Sequence, residues 1–117
     1  RRRVYVISRL RKDGKVYNFL SYFQDICISG LKHVKNLTTT ADMSFSVDPY
    51  IADTGYLIEE TGARRLLRIK LSNGATTKIT DLPSKWNNID AMTMPVGVES
   101  KKNYIYVLKD NNKVGII

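Results

Sequence analysis

The chain has 117 residues, a length that suits one small domain with a modest hydrophobic core. Cys27 is its single cysteine and His33 its single histidine. This excludes an intrachain disulfide, a cysteine-based metal site and any Ser-His-Asp site recognisable from a motif. No apolar run approaches 18 residues, so no transmembrane helix is predicted. The basic N-terminus is not followed by the apolar segment of a signal peptide, so none is predicted either.

The net charge of +8 is unevenly distributed along the chain. Residues 41–60 contain carboxylates but no Lys or Arg, whereas basic residues concentrate near the N-terminus. A basic segment can bind polyanions by releasing their counterions, and Tyr17, Tyr22 and Phe23 are candidates for stacking on bases. The alternative is a solvated basic surface over an aromatic core. The candidate polyanion-binding residues are Arg1, Arg2, Arg3, Arg9, Arg11 and Lys12.

The first predicted element is a β-hairpin. Val4 to Ile7 are β-branched and aromatic residues that favour a strand. Asp13-Gly14 can take the positive φ angles of a tight hairpin turn, and Val16 to Leu20 would form the returning strand. A second hairpin is predicted at the end of the chain, where a strand at 104–108 is followed by a turn at Asn111-Asn112 and a return at 113–117.

The middle of the chain predicts a further set of strands. "ADMSFSVD" (41–48) and "IDAMTMPV" (89–96) alternate apolar and small polar residues, which is the period-2 signal of a strand. We expect strands at 50–52, 66–71 and 76–79, with a turn at Ser72-Asn73-Gly74. "ARRLLRIKL" (63–71) could instead form a short amphipathic helix, but the Thr-rich sequence after Asn73-Gly74 favours the hairpin.

The spacing of three tyrosines suggests a repeated unit. Tyr5, Tyr50 and Tyr106 are separated by 45 and 56 residues, which is typical of the four-stranded blades of a propeller. In this interpretation "YIADTG" (50–55) ends a blade strand, Thr54-Gly55 makes a turn, and Asp53 bonds nearby backbone amides.

These elements predict an all-β fold for residues 1–117: antiparallel blades of a β-propeller, about two and a half of them and so incomplete, since propellers typically have four or more. We therefore expect a fragment, a processed chain, or a further chain or copies that complete the β-sheet, because exposed strand edges pair with other strands. A self-contained small β barrel or sandwich is the alternative.

Several stretches resemble the yellow and major royal jelly protein family. "RRRVYVISRLRKDGKVYNFL", "CISGLKHVKNL", "VDPYIADTG" and "RRLLRIKLSNGATTKITDLP" are similar to family segments, and "NIDAMTMPV" with "NYIYVLKDNNKVGII" looks like a following blade. The family usually pairs cysteines in this region, whereas Cys27 stands alone, and Lys70 replaces an acidic residue. The Asp-Thr-Gly and Leu-Leu pieces also occur in propellers with NHL repeats.

The resemblance implies a secreted six-bladed propeller that binds a small ligand, such as an amine, in its central channel. Asp42 and Asp90 each begin an alternating strand, so in a propeller both would approach the channel. Two carboxylates facing one channel repel each other unless a cation or donor lies between them, which makes Asp42 and Asp90 the candidate ligand-binding residues. The alternative is that each aspartate caps a turn.

Three function classes follow, in this order of preference. The first is a non-enzymatic binding module for a small amine-like ligand, and the second is a polyanion or nucleic-acid binding module. The third is a metal-dependent hydrolase propeller, although no spacing in the sequence specifies a metal site. No catalytic residue, metal or cofactor is predicted. Asn36-Leu37-Thr38 matches a glycosylation sequon and is compatible with secretion.

Overall fold

The computed structural model of the protein describes residues 3–24, 30–94 and 104–117, and the regular structure in these ranges is entirely β-strand. This confirms the predicted all-β class. Within these ranges there is no helix that could cross a membrane. The ten strands are β1 (Val4–Lys12), β2 (Lys15–Phe23), β3 (Lys32–Asn36), β4 (Met43–Val47), β5 (Thr54–Glu59), β6 (Arg65–Lys70), β7 (Thr76–Asp81), β8 (Ile89–Thr93), β9 (Tyr106–Lys109) and β10 (Lys113–Ile116).

The strands form three antiparallel sheets in which neighbours in space are also neighbours in sequence. The first sheet has the order β1-β2-β3, the second β4-β5-β6-β7 and the third β8-β9-β10. Among the described strands, none of the three sheets closes on itself into a barrel. Each sheet is therefore a meander, which needs no connection longer than a loop between consecutive strands.

The three predicted turns are confirmed because their residues accept left-handed backbone angles. Asp13 and Gly14 have φ values of 52° and 74° between β1 and β2, and Gly74 has a φ of 74° between β6 and β7. Asn111 and Asn112, with φ values of 61° and 69°, turn the chain between β9 and β10. Asn, Asp and Gly adopt this region at low cost. Residues 65–70 form a strand, so the helical alternative for that segment is wrong.

The predicted strand at residues 50–52 is wrong, because this segment belongs to the connection between β4 and β5. The carboxylate of Asp48 accepts hydrogen bonds from the backbone N–H groups of Tyr50 and Ile51, at 2.9 and 3.0 Å. Such an Asx-type turn bends the chain where the apolar residues alone suggested a strand. Thr54 and Gly55, predicted as a turn, are the first residues of β5.

Asp53 has the structural role that the sequence predicted for it. Its Oδ1 accepts the backbone N–H of Ser72 at 2.7 Å, and its Oδ2 accepts the Ser72 hydroxyl at 2.7 Å. Its backbone has a φ of 60°, and its carbonyl accepts the N–H of Leu71 at 3.0 Å. Asp53 therefore joins the start of β5 to the end of β6.

The second sheet lies between the other two and buries both of its faces. Its back face carries Leu57, Leu67 and Ile69. This face packs on Leu20 of the first sheet and on Leu37, which follows that sheet. Its forward face, carrying Tyr56, Ile58 and Leu66, packs on Ile105 and Val107 at the third sheet. Successive residues of a strand point to opposite faces, which is why β5 is apolar at neighbouring positions rather than at alternate ones.

The β2–β3 pair of the first sheet and the β6–β7 pair of the second sheet have the same pattern of paired residues. Leu20 of β2 faces Lys35, and Leu66 of β6 faces Thr80. An irregularity follows at the same place in both sheets, between Leu20 and Ser21 and between Leu66 and Leu67. Val34 and Ile79 are the residues skipped at these bulges. A bulge re-aims the side chains that follow it, so both sheets bend at corresponding positions.

Hydrogen bonds fix the connections that follow these two sheets, and they do so at similar positions. Leu37 donates its N–H to the carbonyl of Asn18, and Leu82 donates its N–H to the carbonyl of Arg64. Four residues after each leucine, a carbonyl accepts a side-chain hydrogen bond: Ala41 from Asn18, at 2.8 Å, and Trp86 from Arg64.

Tyr5, Tyr56 and Tyr106 have similar pairing positions in the three sheets. Tyr5 pairs with Tyr22, which lies two residues after Leu20 in β2. Tyr56 pairs with Arg68, which lies two residues after Leu66 in β6. Tyr106 faces Ile116, and the next residue, Val107, is buried against the second sheet as Leu57 is buried against the first. Tyr50 lies outside any strand, so the prediction that it belongs to a strand equivalent to those of Tyr5 and Tyr106 is wrong. Tyr5, Tyr56 and Tyr106 are separated by 51 and 50 residues.

We expect truncation of the forward face of β5 to be costly. Ile58→Ala removes a fully buried side chain between two sheets and leaves a cavity, so the free energy of unfolding should fall by about 2–5 kcal/mol. Ile79→Ala should lower it clearly less, because the Ile79 side chain on β7 stays 41% exposed although it lines the cleft beside this contact. Urea denaturation followed by circular dichroism measures both, and equal effects would contradict the buried interface.

Candidate functional site

A polar cleft of about 320 Å³ lies where β5 ends and β8 begins. The residues that line it carry two carboxylates, three amides and a hydroxyl, so hydrogen-bond acceptors outnumber donors. We call it the polar cleft. Its lining residues are Glu60, Thr61, Asn87, Asn88, Ile89, Asp90 and Asn111.

One carboxylate outside the cleft holds its asparagine wall in place. Oδ1 of Asp110 accepts the N–H groups of Asn87 and Asn88 at 2.9 and 3.0 Å, and its own N–H donates to the Asn88 carbonyl at 3.0 Å. The hydrogen bond from Asn88 is the main reason that the pKa of Asp110 lies below its ordinary value. Asn111 follows in a left-handed conformation. The β9–β10 turn and the β7–β8 connection are thus fixed to each other beside the cleft.

Asp90, one of the two predicted ligand residues, lines the polar cleft. It is an exposed residue of β8. Glu60 lines the same cleft immediately after β5, and its Oε2 accepts the hydroxyl of Ser44 at 2.7 Å. Sequence reasoning missed Glu60, because it follows a strand whose predicted position was wrong. The Glu59-Glu60 pair in the acidic segment was the available signal.

Asp42, the other predicted ligand residue, lies beside the cleft with its carboxylate paired. Its carbonyl accepts the N–H of Glu60 at 2.7 Å, and its N–H donates to the Thr61 hydroxyl at 3.2 Å. Its Oδ1 lies 3.0 Å from Nη1 of Arg9, although the side chain is 55% exposed. The structure therefore brings the backbone of Asp42 to the cleft wall, and it pairs a predicted cation-binding carboxylate with a predicted polyanion-binding arginine.

Glu59, the neighbour of Glu60, is buried and has structural partners. Its carboxylate accepts two hydrogen bonds from the Arg65 guanidinium, at 2.6 and 2.8 Å, and one from the Thr39 hydroxyl at 2.7 Å. The bond from Arg65 is the largest cause of a pKa below the ordinary value, and it outweighs burial. Glu59 therefore links the second sheet to the connection that enters it.

Asp48 is the second buried carboxylate with structural partners. Burial raises its pKa, but hydrogen bonds from the Ile51 and Tyr50 N–H groups and from the Tyr56 hydroxyl together outweigh burial and lower the pKa. The Tyr56 hydroxyl donates to Oδ2 at 2.9 Å, and burial together with this bond raises the pKa of Tyr56.

The described basic candidates of the N-terminal segment differ in their partners. The Arg3 guanidinium lies 4.2 Å from the ring centroid of Tyr22 and donates to Gln24 at 3.1 Å. Its hydrogen bond to Tyr5 raises its pKa. Arg9 pairs with Asp42, whereas Arg11 and Lys12 are exposed at the far end of β1. Arg1 and Arg2 lie outside the described residues, as does Cys27.

Tyr22, one of the predicted stacking aromatics, and His33 have protein partners. The Tyr5 and Tyr22 rings lie 5.7 Å apart at a tilt of 47°, and Phe23 is half-buried while Tyr17 is exposed. His33 is exposed, contacts the Phe19 ring at 5.8 Å and bonds Asn36 at 2.7 Å. In residues 3–24, 30–94 and 104–117, no group of three or more His, Cys, Asp and Glu side chains is placed to hold a metal ion.

Comparisons with protein-family models, with curated proteins and with solved structures found no match to the chain.

We expect acid to destabilise the protein through Glu59 and Asp48. Both pKa values are lowered in the folded state, so their stabilisation is complete above the ordinary values of 4.5 and 3.8 and is lost as the pH falls through the lower folded values. Glu59→Gln should lower the free energy of unfolding at pH 7 by about 1–3 kcal/mol and flatten its decline in acid.

The matched control is Asp13→Asn, which removes a carboxylate from an exposed turn where Asn also accepts a positive φ. Urea titrations at a series of pH values from neutral to acid measure these changes. The linkage through Glu59 is wrong if the Glu59→Gln protein declines as steeply in acid as the native protein.

Proposed function

We propose that the three sheets are successive blades of a β-propeller-type, non-enzymatic binding module. Three features support this proposal: the shared register and bulge of the first two sheets, the matched positions of Tyr5, Tyr56 and Tyr106, and the face-to-face packing of consecutive sheets. A propeller is built from such radially repeated antiparallel sheets. In this assignment each blade unit spans about 50 residues, as in known propeller repeats.

In this proposal β4 and β8 are the innermost strands of their blades. Each is the first strand of its meander and lies at an edge of its sheet. The two strands approach each other, with Cα atoms no more than 8 Å apart, as neighbouring inner strands around an axis do. Asp42 directly precedes β4, and Asp90 is the second residue of β8. The polar cleft then opens at one end of the channel.

The ligand that suits the polar cleft is a small amine cation. The observation that carries this assignment is the presence of Glu60 and Asp90 in one cleft with three amide side chains. Carboxylates near one another favour a cation between them, and an ammonium group can donate to carboxylate, amide and hydroxyl oxygens together. Asp42 contributes less, because Arg9 already neutralises it. The secreted location implied by the family resemblance stays a prediction.

Calorimetry with ethylamine, tyramine and Ca²⁺ tests this function. We expect an amine to bind the native protein, and we expect Asp90→Asn or Glu60→Gln to weaken binding about tenfold or more, since each removes a charged hydrogen-bond partner. Asp42→Asn should weaken binding less than Asp90→Asn, and the double variant Asp42→Asn with Asp90→Asn should resemble Asp90→Asn.

Asp13→Asn is the control for net charge, because it removes one carboxylate far from the cleft wall and should leave the affinity unchanged. Absence of amine binding by the native protein would refute the proposal. Equal affinity of the native protein and the Asp42→Asn, Asp90→Asn double variant would leave both aspartates with structural roles.

Polyanion binding is the second candidate, and the β1–β2 hairpin is the feature that favours it. Lys12 lies directly opposite Lys15, and Arg11 precedes them, so three cations meet at one hairpin end. Among the described residues, none of the three has a carboxylate within 4.0 Å. Unpaired cations are the groups that release counterions from a polyanion.

Elution from heparin in a salt gradient distinguishes the free cations from the paired ones. Arg11→Gln with Lys12→Gln should lower the salt concentration at elution clearly. Arg3→Gln with Arg9→Gln removes the same charge but should lower it less, because Tyr22 and Asp42 already contact these side chains. Equal shifts for the two double variants would indicate net charge alone, and unchanged elution for both would remove the hypothesis.

A further inference from the structure

The forward face of the third sheet is exposed on β10, at a position where the first two sheets bury Leu20 and Leu66. Tyr5, Ile7 and Leu20 of the first sheet pack against the second, and Tyr56, Ile58 and Leu66 of the second pack against the third. The corresponding side chains of the third sheet surround a shallow cleft of about 190 Å³. Val114 and Ile116 are 66% and 54% exposed there. On the same face, Tyr106 and Leu108 of β9 are half-buried.

The back face of the first sheet is the complementary exposed surface. In the second and third sheets, the back face carries Leu57 and Val107, which the preceding sheet buries. The corresponding residue of the first sheet is Val6, and around it Val4, Leu10 and Tyr17 are 44%, 47% and 39% exposed. The chain thus presents one forward face at one end of the stack and one back face at the other.

We infer that a second copy of this chain covers both surfaces, by docking the back face of its first sheet on the forward face of the third. Both contacts within the chain join the forward face of one sheet to the back face of the next, so a contact between copies would repeat the same geometry. Such an interface is heterologous, and it closes into a ring when the rotation per sheet allows it. This inference rests on the blade assignment above.

Two copies close the ring with two identical contacts. The described residues of each chain form three sheets, so two copies supply six, which lies within the range of four to eight blades found in propellers. Closure also removes the two exposed apolar faces, which otherwise invite association with other proteins.

The test is the native mass of the full chain by analytical ultracentrifugation across a wide concentration range. We expect twice 13.4 kDa at high concentration and dissociation on dilution. Val114→Lys with Ile116→Lys should give a monomer by charging the forward face. Leu10→Lys should give a monomer by charging the back face. Ile79→Lys, at an exposed apolar position of the second sheet and outside both proposed docking faces, should still dimerise.

Mixing the two monomeric variants identifies the type of interface. The Val114→Lys, Ile116→Lys variant keeps an intact back face, and the Leu10→Lys variant keeps an intact forward face. These two faces can dock on each other, so the mixture should form an open pair with a single contact. Failure of the mixture to pair, a dimer that survives Leu10→Lys, a native mass of one chain at every concentration, or a mass that grows beyond two chains would each overturn the inference. Circular dichroism confirms that the variants fold.

Calorimetry separates this inference from the proposed function. A monomer that binds an amine overturns the pairing and keeps the ligand site, whereas a dimer that binds no amine keeps the pairing and removes the ligand site.

Discussion

Leu57 and Ile58 point to opposite sides of β5, and the packing of both sides of this one strand holds the three sheets together. A sheet of four short strands has little apolar area on one face, and a small domain buries a limited fraction of its surface. Because both faces of the second sheet are buried, that sheet contributes apolar area to the hydrophobic core from two sides instead of one. The first and third sheets then need one buried face each, and their other faces stay exposed.

The connections between sheets are fixed by buried polar groups rather than by apolar contacts. Asn18 is almost fully buried, and its side-chain amide donates to the carbonyls of Thr39 and Ala41 at 3.0 and 2.8 Å. Glu59 holds Thr39 from the other side. Buried polar groups need all their partners, so residues 37–42 can take few other paths. The position of Asp42 at the wall of the polar cleft depends on this restraint.

The sequence allowed the strands and turns to be predicted wherever the signal was local. Asp13-Gly14 and Asn111-Asn112 require nothing beyond their own backbone preferences, and both hairpins were found. The segment at Tyr50 misled the prediction because the Asp48 side chain captures two backbone N–H groups that a strand would need. Apolar content indicated a strand there, and a side-chain hydrogen bond overrode it.

The candidate site could be predicted only in part. Asp42 and Asp90 could be proposed from their positions before alternating strands. The pairing of Asp42 with Arg9, 33 residues earlier in the chain, depends on how two sheets dock, and no local pattern contains that information. Glu60 and the three asparagines of the cleft also come from separate connections, and the contact of Asp110 with residues 87 and 88 joins two of these connections.

The meander order of the sheets has a consequence for the kinetics of folding. Every strand pairs with its neighbour in sequence, so each sheet can acquire its hydrogen bonds by closing short loops, at low entropic cost. Face-to-face docking comes afterwards, and β5 cannot be stable before it because both of its sides are then in water. Hairpin formation should therefore be fast, and the rate-limiting step should be the docking of sheets around β5.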